Sequence, residues 1–196
     1  MLKKALVTLA LGTFGLGVTE FAMMGILPFI ADDFSVSISE AGHLISSYAL
    51  GVCVDALLMV AFMRTWRLKK IVVLLMCVYT IASVAMSLSP DYYTMLAMRF
   101  VAGLPHGAYF GVASIIADRL SNGKKSATAV AIMCSGMSVA NLVGIPFGTY
   151  ICQVASWRYI FGFSAMWGLA TLLSIWRFIP SMEALPDVGA RVQFRF

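Results

Sequence analysis

The chain has 196 residues, of which 61% are hydrophobic and only 12% charged, with a mean hydropathy of +0.90. A soluble domain carries about 25% charged residues, so composition excludes that class and points to an integral membrane protein. The formal charge of +5 is spread over short loops between apolar runs, with no basic stripe interleaved with aromatics, which excludes a nucleic-acid partner.

A spanning helix needs about 20 mostly apolar residues. Windows of that kind cover approximately 5–31, 41–63, 71–89, 92–116, 127–151 and 159–179, and 180–196 is left as a tail. The expected fold is an all-α integral membrane bundle of six helices in a lipid bilayer. The start, Met1-Leu2-Lys3-Lys4, resembles a signal peptide, but the apolar run continues to about Ala31 without a cleavage-site pattern. It therefore reads as the first span. Lys3, Lys4, Arg64, Arg67, Lys69, Lys70, Arg119, Lys124, Lys125, Arg177, Arg191 and Arg195 all fall on one side of a six-span chain. The opposite loops hold Asp32, Asp33, Glu40, Asp91 and a single base, Arg158. Basic loops stay in the cytoplasm, so both termini are expected there, in a bacterial inner membrane.

The first span is rich in glycine (Gly12, Gly15, Gly17, Gly25) and carries Glu20 inside its apolar run. The second holds Asp55, a buried acid whose partner is either Arg64 or a neighbouring helix, if it has one, and His43, an expected interfacial residue. The fourth contains Arg99, His106 and Tyr109, with Gly103, Gly107 and Gly111 at a four-residue period that places them on one close-packing face. Helical rise puts Glu20 roughly 16 Å and Arg99 roughly 10 Å from the outer ends of their helices. A direct or water-bridged ion pair between them is thus within geometric reach. Charges at that depth face a bundle interior or a watery cavity. His106 either lines a cavity, where its near-neutral titration suits a proton relay, or is simply hydrogen-bonded between helices. The fifth span repeats the small-residue pattern in Gly136, Ala140, Gly144 and Gly148. It adds Pro146, which kinks the helix, and Asn141, a polar group in need of a partner.

Cys53, Cys77, Cys134 and Cys152 form no Cys-x-x-Cys pair and no zinc-like spacing, so they read as small apolar residues and no metal or other cofactor is expected. No nucleophile–base constellation shares a helix face, and enzymatic activity is not expected.

Arg99-x-x-x-Gly103-x-x-x-Gly107, together with Gly136-x7-Gly144-x-Pro146-x-Gly148, resembles the major facilitator superfamily, most closely its drug:proton antiporter branch. The stretches Leu11–Phe21 and Ser156–Phe161 are similar to those of the sugar-efflux, arabinose-permease-like members. The resemblance implies a fold of twelve helices in two halves, each an inverted pair of three-helix units, of which this chain looks like the amino-terminal half. The tail then resembles the start of the linker between halves. It also implies proton-coupled efflux of a sugar or another small molecule, with one half rocking against the other. Glu20 and Arg99 become the matched candidates for proton coupling and charge relay, and His106, Tyr109 and Asn141 candidates for the substrate cavity. The chain departs from the family between its second and third spans. Ala61–Lys70 is basic but lacks the acid and glycine of the family's Gly-x-x-x-Asp-Arg-x-Gly-Arg-Arg loop. Other readings stand beside this one: an inactive truncated fragment, a half-transporter that needs dimerisation or a second chain, and more remotely a six-helix channel.

Overall fold

The computed structural model describes residues 2–62, 66–121 and 125–183, with side chains from 56 to 62 excepted. Arg64, Lys124, Arg191 and Arg195 lie outside the described residues. Six α-helices make up the described structure: α1 Leu2–Phe34, α2 Ile38–Phe62, α3 Leu68–Ser87, α4 Tyr92–Leu120, α5 Ser126–Val154 and α6 Arg158–Phe178. Most ends lie up to about a turn beyond the apolar windows, because polar terminal turns such as Lys3-Lys4 and Asp32-Asp33 still close helical hydrogen bonds that hydropathy does not register.

Local chemistry starts two of these helices. Ser37 and Glu40 form a reciprocal capping box at α2: Glu40 N–H donates to Ser37 Oγ at 3.1 Å, and Ser37 N–H donates to Glu40 Oε2 at 2.8 Å. Asp91 caps α4 by accepting from the Thr94 N–H at 2.9 Å and its hydroxyl at 2.8 Å. The three longest helices each contain one proline: Pro28, Pro105 and Pro146. Five helices are long and apolar enough to cross a membrane among the described residues. Their outward positions, including Val7, Leu50, Ile81, Leu142 and Leu173, are apolar and exposed, as a lipid-facing surface requires.

The closest packings pair α1 with α5, α2 with α4, and α3 with α6. Exchanging α1 with α4, α2 with α5 and α3 with α6 maps this pattern onto itself, the relation expected of two inverted three-helix units. Glycines bring the first two pairs together. A Cβ at Gly103 would overlap the Tyr48 carbonyl of α2, and one at Gly51 would overlap the Phe100 carbonyl of α4. Across the other seam a Cβ at Gly136 would overlap the Ala10 carbonyl, and Gly144 and Gly148 lie against Phe21 and Ala22. Gly107 faces Asp55, and at Gly111 an added Cβ meets no described atom within 4 Å.

The buried interior has two apolar clusters. One, toward the end bearing the basic loops, contains Leu9, Leu16, Tyr79, Tyr109 and Ile116; the other contains Met23, Ile26, Met86, Met95 and Phe161. Between them in chain order on α1, α3 and α6 lie the buried Thr19, Thr80, Ser83 and Ser164, with Glu20 beside Thr19. That polar layer is the place to look for function.

Candidate functional site

Arg99 is 1% exposed and is the largest fully buried side chain among the described residues. Its Nη1 donates to the Thr19 carbonyl of α1 at 3.1 Å and its Nε to the Leu44 carbonyl of α2 at 3.2 Å. The guanidinium also lies over the Tyr48 ring, 4.4 Å from its centroid. A buried cation needs partners, and here two helix carbonyls and an aromatic face supply them. Arg99 therefore joins three helices and reaches the backbone one residue before Glu20; no direct bond from Arg99 to the Glu20 carboxylate is among the described contacts.

Glu20 instead approaches His106. Its Oε2 lies 3.7 Å from His106 Nε2, with the two side chains 34% and 13% exposed. That oxygen is itself buried and has no hydrogen-bond partner within ordinary distance. On its far side the imidazole meets the Tyr48 hydroxyl, 2.7 Å from Nδ1, and it stacks on Phe110 at 5.4 Å. The result is a continuous run of groups, Arg99–Tyr48–His106–Glu20, with Tyr48 touching both the cation and the imidazole. Thr19 extends it: its hydroxyl lies 2.9 Å from that of Tyr79, which donates to the Gly15 carbonyl at 2.7 Å.

The remaining predicted residues separate. Tyr109, expected at the cavity, is fully buried instead: it fills the space that Gly12 leaves on α1 and donates to the Leu9 carbonyl at 3.3 Å. Its ring packs in the core because a glycine faces it. Asn141 is exposed on α5 and shares a three-residue spacing with the exposed Ser135 and Ser138, a polar stripe in the middle of the helix. Asp55 meets α4, accepting a hydrogen bond from the Ala108 N–H just past Pro105 and Gly107. Of its two expected partners the neighbouring helix is the one described. Tyr48, Thr19 and Tyr79 were not singled out in the sequence, since tyrosine and threonine are unremarkable in an apolar helix; only the three-dimensional contacts mark them.

Six apolar helices around a mid-depth layer holding a buried arginine, an acid and a histidine define a helical membrane protein of the transporter kind. The chain belongs to the Major Facilitator Superfamily, whose family model matches residues 9–193. It is 43% identical over 195 residues to AraJ of Escherichia coli K12, covering 100% of this chain and 50% of that protein. It is 39% identical to the inner membrane transport protein YdhP of the same strain, over 97% of this chain and 48% of YdhP. Identity to a chloramphenicol resistance protein of Streptomyces lividans is 30%, over 90% and 45% of the two chains. The crystal structure of a D-xylose-proton symporter superposes with a TM-score of 0.78 at 14% identity, over 97% of this chain and 51% of that one, a likeness of fold. The chain thus spans about half the length of the curated relatives it matches. The family read from the motifs and the six-helix fold read from the apolar runs are borne out.

Proposed function

We propose that these residues form one half of a proton-coupled exporter of a sugar or another small molecule, seated in a bacterial inner membrane with both termini in the cytoplasm. The observation that carries this reading is the approach of Glu20 to His106 at 3.7 Å, across the α1–α4 boundary that Arg99 and Tyr109 also bridge. In the tautomer in which the Tyr48 hydroxyl donates to Nδ1, a neutral His106 carries its proton on Nε2, toward the carboxylate. Protonation of Glu20 cancels the charge held opposite that N–H and near the Arg99 cation. One attraction drawing α1 toward α4 then weakens, leaving the hydrogen bonds from Arg99 to Thr19 and from Tyr109 to Leu9 to hold the boundary. Arg99 serves as the fixed cation near the acid and holds the backbone beside Glu20, while His106 is the polar side chain that faces the carboxylate. The polar stripe of Ser135, Ser138 and Asn141 supports a wet face on α5 shared with a second six-helix unit. The sidedness rests on the distribution of lysine and arginine alone.

Infrared difference spectroscopy of the purified chain between acid and alkaline pH tests the proton site directly. A protonatable carboxyl band that disappears in Glu20→Gln is the expected result. An unchanged band would place the proton elsewhere, with Asp55 the other buried acid. In proteoliposomes holding a complete transporter, the same substitution is expected to abolish sugar-driven proton movement.

A further inference from the structure

The basic end of the bundle carries a groove that the transport reading does not use. It lies between the start of α3 and the end of α6, with a volume of about 460 Å³, on the scale of sites that hold one ligand. Its rim is Arg67, Lys69 and Lys70, and its floor is Val73, Leu74 and Cys77. None of the described lining residues is acidic. Lys69 closes the groove at one point: its Nζ donates to the Trp176 carbonyl in the last turns of α6 at 2.8 Å, which ties the two helix ends together. The Trp176 indole, 74% exposed, stands at the same edge, where an aromatic ring suits the boundary between headgroups and acyl chains.

Depth decides what fits. Cys77 lies seven residues past Lys70, roughly 10 Å farther into the bilayer at the helical rise. An occupant must therefore present negative charge at the rim and hydrocarbon below it. A soluble anion satisfies the first condition and leaves the apolar floor bare. A zwitterionic lipid satisfies the second and brings no net charge to three cations. Basic pockets between spanning helices at the cytoplasmic surface recognise acidic headgroups. We propose that this groove binds one anionic phospholipid, its phosphate against Arg67 and Lys70 and an acyl chain along Val73, Leu74 and Cys77, so that the lipid and Lys69 together brace α3 against α6. The assignment to the cytoplasmic leaflet rests on the orientation proposed above; the binding itself does not.

The test uses the whole chain in nanodiscs, whose two leaflets are alike, so an error in orientation leaves the result unaffected. Tryptophan quenching by phosphatidylglycerol brominated on its acyl chains is compared with quenching by brominated phosphatidylcholine at equal mole fraction. A several-fold stronger effect of the anionic lipid is expected. It should fall to parity in Arg67→Gln/Lys70→Gln and persist in the charge-conserving Arg67→Lys/Lys70→Arg. A Lys3→Gln/Lys4→Gln variant alters a basic rim on the neighbouring α1–α6 groove and should leave the preference intact. Equal quenching by both lipids in the unmodified protein, or an equal loss in the Lys3/Lys4 variant, would overturn the proposal. Should the neutralised double variant not fold, a photoactivatable phosphatidylglycerol on the unmodified chain decides: crosslinks at 73–77 support the site, and crosslinks confined to other helices exclude it.

Discussion

Tyr48 is the residue on which the polar layer depends. Its ring lies against Arg99 and its hydroxyl lies 2.7 Å from His106 Nδ1, so a third helix meets the imidazole on the side away from Glu20. Tyr48→Phe keeps the ring and deletes the hydroxyl. Net stability should fall by about 0.5–1.5 kcal/mol, the usual worth of one such bond. More diagnostic is the ring itself: nitrogen NMR of a labelled His106 should change from one tautomer to a mixture. A single unchanged tautomer in the variant would show that Tyr48 does not orient the ring. The charged members of this group were legible in the sequence because Glu20 and Arg99 interrupt apolar runs, which is costly without a partner. Their pairing was not legible. Counting residues gives depth along a helix but not rotation about its axis, and rotation turns Glu20 toward His106 while Arg99 turns to helix carbonyls.

At the scale of single elements, sequence and structure agree wherever one interaction dominates. Continuous apolar runs locate the helices, and glycine periodicity locates the close-packing faces of α4 and α5, which the structure places against α2 and α1. The capping box at Ser37 is readable as Ser-x-x-Glu, but it lies just outside the apolar window, where hydropathy carries no signal. A Cβ at Gly103 runs into helix backbone, whereas one at Gly42 meets nothing within 4 Å. Gly103→Ala should therefore cost about 1–3 kcal/mol, as overpacking does, while Gly42→Ala should add up to roughly 1 kcal/mol through helix propensity. Unfolding by denaturant in mild detergent distinguishes the two signs. The caps also predict a pH response. The Ser37 hydroxyl and then its backbone N–H hold the Glu40 carboxyl below its ordinary range, and the Thr94 backbone N–H and then its hydroxyl do the same for Asp91. A carboxyl lowered in the fold stabilises it above the ordinary carboxylate range, and that contribution is lost as pH falls through the lowered values. Thermal unfolding followed from neutral to acid pH should show the loss, and a Ser37→Ala/Asp91→Ala variant should reduce its amplitude.

Across the whole bundle, the α1–α5 and α2–α4 pairs are equivalent under the inverted-repeat exchange and are zipped by separate glycines. Gly103→Ala and Gly136→Ala should then destabilise to a similar degree, and their effects should add, since sites with no shared partner seldom couple. A double variant much less stable than the sum would mean that the two seams act as one unit. The inverted relation itself was implied by family resemblance; composition and periodicity do not reveal it, because it resides in which helix touches which.

Helices zipped backbone to backbone resist sliding, because any axial shift drives side chains into carbonyls. The contact between α1 and α4 is of another kind: it is bridged by long side chains, Arg99 to Thr19 and Tyr109 to Leu9. Compliance in the bundle is therefore uneven, with two stiff leaves meeting along a softer boundary. Glu20 and His106 sit on opposite sides of that boundary. On the proposed function, a proton added there acts across this softer boundary, between the two glycine-zipped pairs.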